Sequence, residues 1–271
     1  MYSLGLIGFP VNQSKSPQIH QHFLSSLQLE GQYNLYEVEE VDLESQLNQL
    51  IDHQLTGFNV TIPYKEKIIP LIDDLDQTTK SLKSVNTVKI EGTKLVGYNT
   101  DGVGYVESLR QGYPDFYQSL NQQSILILGA GGAAKGIYYT LQNERPYKLD
   151  IANRSVNRAE HLTCDYTNSH ALSLLDAEAK LNDYDLIIQT TSVGMEPNTS
   201  HKIIKLNQLK ENTIVSDIIY KPKYTNFLKE AENRGARILF GESMLWYQAA
   251  KAFEIWTGYK VTHLVPIKEG D

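Results

Sequence analysis

Apolar residues recur along the chain in short runs of strand length, and segments with helical spacing separate many of these runs. In the first hundred residues the candidate strands are 3–8, 32–38 and 57–62, followed by a hairpin-like pair at 86–90 and 94–98. Two stretches between them place apolar residues on one helical face, which predicts helices over 17–29 and 41–55. Strands that alternate with helices are typical of an α/β architecture.

After residue 120 the alternation becomes more regular. Five further runs of strand length lie at 124–128, 148–152, 185–189, 213–217 and 236–240. Helical segments separate most of them, as expected for a parallel sheet, in which neighbouring strands need crossover connections. A long apolar pattern over 243–257 predicts a closing helix that ends at Gly258. The polar stretch 111–123 is interpreted as a loop that connects two domains.

Composition adds limits to this picture. The 271 residues include 25 Lys and Arg against 32 Asp and Glu, a formal net charge of −7. This balance disfavours a broad nucleic-acid-binding surface, although a few placed cations can still hold a small anion. The single cysteine, Cys164, cannot form an intramolecular disulfide, which favours a reducing compartment. With no signal-peptide pattern and no apolar run of about 18 residues, we expect a soluble cytoplasmic protein.

A glycine-rich turn follows the strand at 124–128 and leads into a helical pattern. The residues GAGGAA at 129–134 match G-x-G-x-x-A, in which the first glycine allows a tight turn and the second lets a pyrophosphate approach the backbone. The N-terminus of the helix offers free N–H groups to the anion. The motif predicts a dinucleotide site formed by Gly129, Ala130, Gly131, Gly132 and Ala133.

The end of the next strand distinguishes between nucleotides. NAD sites usually place Asp or Glu there to bind the ribose 2′-hydroxyl. Here the strand ends in Asn153, Arg154 and Ser155, and Arg158 follows one turn later. Two guanidinium groups suit the 2′-phosphate of NADP, which arginine can bind with two parallel hydrogen bonds. We therefore predict NADP; the alternative is that these residues only form a solvated helix start.

Three polar clusters lie at predicted strand ends in the first hundred residues. Ser14 and Ser16 precede a helix, where two hydroxyls suit a carboxylate or phosphate, although Ser16 could simply cap the helix before Pro17. Lys65 follows the strand at 57–62, and we place it at the start of a helix. Asp101 precedes another helix, which it could merely cap.

Together these clusters give the chain a resemblance to the shikimate dehydrogenase family over nearly its whole length. Any one motif is modest evidence, but their occurrence in the family order is specific. Beside the glycine turn and NRSxxR at 153–158, the motifs are GxPxxxSxSP at 8–17, NVTxPxK at 59–65, VNT at 85–87, GYNTDG at 97–102, TSxGM at 191–195, DIIYxP at 217–222 and GxxMLxxQA at 241–249.

The resemblance implies reversible oxidation of the shikimate 3-hydroxyl to 3-dehydroshikimate, with hydride exchanged at the nicotinamide of NADP. Lys65 and Asp101 match the family's paired catalytic residues. Because a carbinol carbon loses its hydride only as the hydroxyl proton leaves, a positioned acid or base is needed. Sequence does not decide which of the two moves the proton.

The resemblance also implies the binding residues. Ser14, Ser16 and Tyr220 would meet the substrate carboxylate, and Thr61, Asn86, Asp101 and Gln248 would line the hydroxyl side. Thr191, Ile218 and Gly241 would belong to the cofactor site, the last two close to the nicotinamide. Gln248 could instead face solvent on its helix, and Tyr220 could be a packing aromatic. The chain departs from the family pattern at Phe9, Gln13, Lys83, Ser84 and Gln189, which puts pocket detail in question rather than reaction class.

We expect an α/β fold of two domains. Residues 1–102 would form the α/β substrate domain, completed by C-terminal helices as 240–271 return to it. Residues 103–239 would form a Rossmann-like doubly wound parallel sheet that binds NADP. We predict no metal, no nucleic acid and no membrane partner, a small-molecule substrate, and a monomer or homodimer.

Two other functions remain open. One is a quinate/shikimate dehydrogenase that prefers NAD, against which Arg154 and Arg158 argue. The other is a catalytically silent regulator that binds NADP or a metabolite on the same fold. Such a protein could lose Lys65 or Asp101 without penalty, yet the chain has both.

Overall fold

The computed structural model describes residues 1–266, so the last five residues of the predicted returning segment 240–271 lie outside the described part. The chain divides into two compact units. The first unit comprises Met1–Gly104 and Trp246–Pro266, and the second unit comprises Tyr105–Leu245. Within residues 1–266, none of the helices is both long and apolar enough to cross a membrane.

Twelve strands and ten α-helices form within the described residues. In chain order they are β1 (Tyr2–Gly8), α1 (Ser16–Ser26), β2 (Gly31–Glu37), α2 (Leu43–Asp52), β3 (Gly57–Val60), β4 (Asp74–Leu75), α3 (Gln77–Leu82), β5 (Thr87–Glu91), β6 (Lys94–Tyr98), α4 (Asp101–Gly112), α5 (Pro114–Gln118), β7 (Ser124–Leu128), α6 (Gly132–Asn143), β8 (Lys148–Ala152), α7 (Val156–Thr163), β9 (Ala171–Leu172), α8 (Leu174–Glu178), β10 (Leu186–Gln189), β11 (Ile214–Asp217), α9 (Asn226–Asn233), β12 (Arg237–Phe240) and α10 (Gly241–Thr257). Short 3₁₀ turns lie at Glu40–Asp42, Ile69–Leu71, Leu120–Gln122, Leu181–Asp183 and Thr262–Leu264.

The sheet of the first unit is mixed. Its strand order is β2-β1-β3-β5-β6-β4, with β1 parallel to β2 and β3, and β5 antiparallel to β3 and β6. The predicted hairpin is thus confirmed, and its turn contains Gly92 at a φ of +68°. The register pairs Asn59 of β3 with Thr87 of β5, which brings two motif segments side by side.

Helices pack against the sheet of the first unit and bury two different groups of apolar side chains. On one side Leu43, Leu47 and Leu50 of α2 join a buried, mostly aliphatic cluster that also contains Phe58 and Tyr64. Elsewhere Phe23 of α1 packs edge-on against Phe253 of α10, with ring centroids 5.5 Å apart. An aromatic core of this kind stabilises a unit through its large buried area.

The second unit is a six-stranded parallel sheet with the order β12-β11-β10-β7-β8-β9. Successive residues of β7 point to opposite faces, so Ile125 and Ile127 pack with α6 while Leu126 and Leu128 pack in a second core with α9. Helices therefore bury both faces, as a parallel sheet requires. The predicted doubly wound Rossmann-like sheet is confirmed.

Several predictions of secondary structure are wrong or incomplete. The stretch 111–123 is helical rather than a loop: α5 and a 3₁₀ turn place Phe116 and Leu120 in the core of the second unit. These two apolar residues are spaced by four, which is a helical signal that the surrounding polar residues hide. The helix predicted over 41–55 is shorter, because a 3₁₀ turn precedes α2. The strands β4 and β9, with two residues each, were not predicted.

Candidate active site

Two serine hydroxyls lie at the start of α1. The helix begins at Ser16, and the residue at its N-cap position is Lys15, so the prediction that Ser16 caps the helix is wrong. Instead the Ser14 Oγ accepts the N–H of Ser16 at 3.2 Å and donates to the Ser16 Oγ at 3.1 Å. The pair stands where the first helical N–H groups have no partner within the helix, a position suited to an anion.

Lys65 and Asp101 form a close ion pair. The Lys65 Nζ lies 2.6 Å from the Asp101 Oδ2, and the side chains are only 18% and 6% exposed. Lys65 follows β3 in a series of turns, and its carbonyl accepts the N–H of Val85 at 2.7 Å. The helix predicted to start at Lys65 is therefore wrong, since the first helical turn after it is the 3₁₀ segment Ile69–Leu71.

Asn86 orders the carboxylate of Asp101 from the other side. Its Nδ2 donates to the Asp101 Oδ1 at 2.9 Å and to the Thr100 Oγ1 at 2.9 Å. The first N–H of α4, that of Asp101, is satisfied by the Asn99 Oδ1 at 3.1 Å. The carboxylate of Asp101 consequently pairs with Lys65 and Asn86, and Asn99 provides the side-chain acceptor at the helix start.

Gln248 belongs to the same cluster. Its Oε1 lies 3.4 Å from the Thr100 Oγ1 and 3.5 Å from the Asn86 Nδ2, and the residue is 9% exposed. The approach is possible because residue 104 is glycine: a Cβ there would lie 2.6 Å from the backbone nitrogen of Gln248. The alternative that Gln248 faces solvent is wrong. Thr61 is half-buried just beyond β3, where its N–H donates to the Ile7 carbonyl.

The glycine turn of the second unit shows why its glycines are needed. Gly129 has a φ of +117°, and a Cβ there would lie 2.5 Å from the Thr190 Oγ1. Gly131, the N-cap of α6, has ordinary backbone angles, and a Cβ there would meet nothing within 4 Å. The first glycine serves the turn, and the second leaves open space before the N-terminus of α6. An open helix N-terminus is the kind of position that a pyrophosphate prefers, and Ala130, Gly132 and Ala133 belong to the same turn.

The segment after β8 presents exposed cations. The Asn153 Nδ2 donates to the Ser155 carbonyl at 2.9 Å, which shapes the turn into α7. The side chains of Arg154 and Arg158 are exposed, and within residues 1–266 neither forms an ion pair with a carboxylate. Exposed guanidinium groups are the chemistry that a 2′-phosphate such as that of NADP requires.

Two buried polar side chains, Gln189 at the end of β10 and Asp217 at the end of β11, lie next to each other. This contact was not predicted from the sequence. The Gln189 Nε2 donates to the carbonyls of Thr191 and Val193 at 3.1 Å, and approaches the Asp217 Oδ1 at 3.4 Å. Asp217 in turn accepts the N–H of Ile219 at 3.0 Å. One amide and one carboxylate therefore shape both loops that carry predicted cofactor residues. Gln189 is one of the residues at which the chain departs from the family pattern, and its side chain forms the hydrogen bonds that hold these loops.

The remaining predicted residues of the second unit follow β11. Ile218 and Tyr220 are half-buried, and burial raises the pKa of the Tyr220 hydroxyl. Gly241 lies against Ile218 so closely that a Cβ would be 2.4 Å from the Ile218 carbonyl carbon. Only glycine permits this approach, so the start of α10 fixes the backbone that carries Ile218.

The carboxyl group of Asp217 provides a prediction on pH. Burial raises its pKa to about 6, and the hydrogen bonds from Ile219, Thr225 and Gln189 offset this only in part. Since the folded pKa lies above the unfolded one, the folded state binds the proton more tightly, and this stabilisation is lost as pH rises through about 6. From pH 5 to pH 7 we expect the free energy of unfolding of the wild type to fall by about 1 kcal/mol relative to Asp217→Asn.

Urea denaturation of both proteins at the two pH values measures that difference. The variant cancels the titration of all other groups, so a wild-type-minus-variant difference that is constant with pH contradicts the raised pKa of Asp217.

The fold, the Lys65–Asp101 cluster and the glycine turn together place the protein in the class of two-domain, dinucleotide-binding oxidoreductases. Three family models match the chain: the shikimate dehydrogenase substrate binding domain over residues 6–88, shikimate / quinate 5-dehydrogenase over 114–220, and the shikimate 5′-dehydrogenase C-terminal domain over 241–261. A shikimate dehydrogenase (NADP(+)) of Oceanobacillus iheyensis is 47% identical over 260 residues, which cover 96% of this chain and 93% of that protein.

Solved structures give the same result. The shikimate dehydrogenase of Aquifex aeolicus superposes with a TM-score of 0.89 at 35% identity, covering 98% of this chain and 96% of that one. The shikimate 5-dehydrogenase of Thermus thermophilus, in complex with NADP(H) and shikimate, gives a TM-score of 0.86 at 30% identity, covering 96% and 95%. The chain belongs to the shikimate dehydrogenase family and is an oxidoreductase.

Proposed function

We propose that this protein catalyses the reversible NADPH-dependent reduction of 3-dehydroshikimate to shikimate, in the biosynthesis of chorismate and the aromatic amino acids. The observation that carries the proposal is the shielded pair of Lys65 and Asp101, ordered by Asn86, in a member of this family. A lysine held 2.6 Å from a buried carboxylate suits a proton transfer at a hydroxyl group.

Bound NADP would supply the hydride acceptor for shikimate oxidation. The protein's part is to hold the 3-hydroxyl beside the Lys65 Nζ, so that its proton passes to the pair as the carbon–hydrogen bond breaks. Asp101 keeps the lysine in place and stabilises its positive charge, and Asn86 keeps the carboxylate oriented. Because the Lys65 ammonium and the Asp101 carboxylate are in hydrogen-bond contact, we assign the proton to the pair rather than to one member.

The remaining substrate contacts follow from the chemistry of shikimate. Ser14 and Ser16 would donate to its carboxylate, joined by the Tyr220 hydroxyl. Thr61, Asn86 and Gln248 would bind its ring hydroxyls, for which the mutual contacts of Asn86 and Gln248 give support. We propose that the first unit supplies each of these shikimate contacts except that of Tyr220, and that the second unit binds NADP.

For the cofactor we propose that Gly129, Ala130, Gly131, Gly132 and Ala133 hold the pyrophosphate. Asn153, Arg154, Ser155 and Arg158 would hold the 2′-phosphate. Thr191, Ile218 and Gly241 would complete the cofactor site, the last two close to the nicotinamide. The exposed arginines and the open space before α6 support this arrangement.

Removal of the two arginines should change the choice of nucleotide. In a variant carrying Arg154→Ala and Arg158→Ala we expect KM for NADP to rise by at least about a hundredfold, since charged hydrogen bonds to the 2′-phosphate contribute roughly 1.5–3 kcal/mol each. KM for NAD, which lacks that phosphate, should stay within about twofold. Initial rates against each nucleotide measure both constants.

Arg110→Ala is the matched control, because Arg110 is exposed and pairs with Glu107 on α4. Equal changes in KM for NADP and NAD in the double variant would contradict the assigned phosphate site.

One of the matching family models also includes quinate in its description, so the substrate needs its own test. Initial rates on shikimate and on quinate, each with NADP and with NAD, separate the proposed enzyme from an NAD-preferring quinate/shikimate dehydrogenase. We expect the highest kcat/KM with shikimate and NADP. Absence of turnover with all four combinations would favour a silent binding protein.

The protein's setting is part of the same proposal. We place it in the cytoplasm as a monomer or homodimer. The cytoplasmic location is supported by its one cysteine, which cannot make an intramolecular disulfide.

A further inference from the structure

A chain of buried hydrogen bonds in the first unit ends at the Lys65–Asp101 pair and begins at a tyrosine far from it in sequence. The Tyr33 hydroxyl donates to the Asn59 Oδ1 at 2.8 Å, and the Asn59 Nδ2 donates to the Thr87 Oγ1 at 3.1 Å. The Thr87 Oγ1 donates to the Asn86 Oδ1 at 2.9 Å. Asn86 then donates to the carboxylate of Asp101, as described above.

The donors and acceptors of this chain fit only one orientation of the Asn59 amide. Its Nδ2 also donates to the Asn86 carbonyl at 3.1 Å, so a flipped amide would set two acceptor oxygens against each other. At the other end the Tyr33 hydroxyl supplies the donor that the Asn59 Oδ1 needs in a buried position. Loss of that donor removes a buried hydrogen bond from the Asn59 Oδ1, which costs more than the loss of a hydrogen bond at the surface.

Tyr33 is itself fixed by aromatic packing. The His20 ring stacks on it with centroids 4.5 Å apart and planes within 3°. Burial lowers the pKa of His20 to about 3, so the imidazole is neutral near pH 7. Burial also raises the pKa of Tyr33, while a hydrogen bond with Ser16 lowers it in part. Tyr33 therefore remains a protonated donor, and it lies beside one of the serines at the start of α1.

We propose that Tyr33 is a positioning residue for the catalytic pair: acting through Asn59, Thr87 and Asn86, its hydroxyl sets the orientation of the Asp101 carboxylate toward Lys65. This inference rests on the proposed function of that pair. Hydrogen bonds in a buried chain strengthen one another, so a change at one end is felt at the other. Tyr33 acts through these residues and is assigned no contact with the reacting atoms.

The test compares Tyr33→Phe with Tyr138→Phe. Tyr138 is also buried: in the second unit its hydroxyl donates to the Ser169 Oγ at 2.8 Å and accepts from the Gln142 Nε2 at 2.9 Å. Both variants therefore lose a buried tyrosine hydroxyl that forms two side-chain hydrogen bonds. For Tyr33→Phe we expect kcat of shikimate oxidation to fall about tenfold with KM for NADP unchanged. Tyr138→Phe should keep kcat within about twofold while losing a similar amount of thermal stability.

Thr87 offers a second pair of variants inside the chain. Thr87→Val removes the hydroxyl at nearly constant shape, and Thr87→Ser retains it. We expect Thr87→Val to lower kcat about tenfold, and Thr87→Ser to restore most of the wild-type value. A structural role alone would not separate the two in kcat. This pair keeps the inference testable if Tyr33→Phe does not fold.

A third comparison tests whether the effect of Tyr33 passes through Asn59. In an Asn59→Ala background, Tyr33→Phe should change kcat by less than about twofold, because its link to Asn86 is already broken. A full tenfold loss in that background, or a kcat for both Tyr33→Phe and Thr87→Val within about twofold of the wild type, would overturn the inference. A wild-type protein that fails to oxidise shikimate would instead overturn the proposed function.

Discussion

Lys65→Met is expected to lower kcat for shikimate oxidation about a thousandfold, the size of effect found when a positioned acid or base is lost. The methionine keeps most of the side-chain volume but removes the ammonium group that lies 2.6 Å from the Asp101 Oδ2. It also leaves a shielded carboxylate without its cation. Steady-state kinetics with saturating NADP measure kcat directly, and circular dichroism checks the fold.

Lys67→Met is the matched control. Lys67 lies two residues further on and forms an exposed ion pair with Glu40, so its loss removes a lysine from the same segment without touching Asp101. We expect its kcat to stay within about twofold of the wild type, as is usual for surface ion pairs. Wild-type turnover by Lys65→Met would mean that the pair does not carry the proton.

Gly131→Val is expected to raise KM for NADP about a hundredfold while leaving the protein as stable as the wild type. Gly131 has a φ of −91°, which valine tolerates, and a Cβ there meets no atom within 4 Å. The isopropyl group would fill the space proposed for the pyrophosphate and keep it from the N–H groups of α6, at a cost of about 3 kcal/mol.

Gly129→Ala separates this effect from a general loss of structure. Its backbone has a φ of +117°, and its Cβ would lie 2.5 Å from the Thr190 Oγ1. We expect this variant to lose about 1–3 kcal/mol of unfolding free energy. If Gly131→Val lowered stability as much and left KM for NADP unchanged, the pyrophosphate would have to bind elsewhere.

Sequence predicted the second unit best where a pattern is local. The strands at 124–128 and 148–152 have the predicted bounds because each ends in four consecutive buried residues and stops at a polar or glycine turn. The tight turn expected of Gly129 appears as its positive φ. Strands β4 and β9 were missed because two residues cannot show an alternation of period two.

The site residues that belong to sequence motifs were predicted. The contacts that arise only when separate strands come together in the fold were missed. Lys65, Asp101 and Asn86 stand in three separate motifs, and the structure brings them into contact. Tyr33 stands in none: it lies on β2, and β1 separates that strand from Asn59 on β3. Likewise the pairing of Gln189 with Asp217 depends on the register of β10 and β11. Contacts of this kind follow from strand order, which hydrophobic spacing does not specify.

The near-ultraviolet absorbance of NADPH, followed after shikimate and NADP are added to the purified protein, shows directly whether the protein oxidises shikimate. We predict a rise in absorbance with shikimate that NAD does not match, and a fall when NADPH is mixed with 3-dehydroshikimate. No change at millimolar shikimate and NADP would contradict the proposed function.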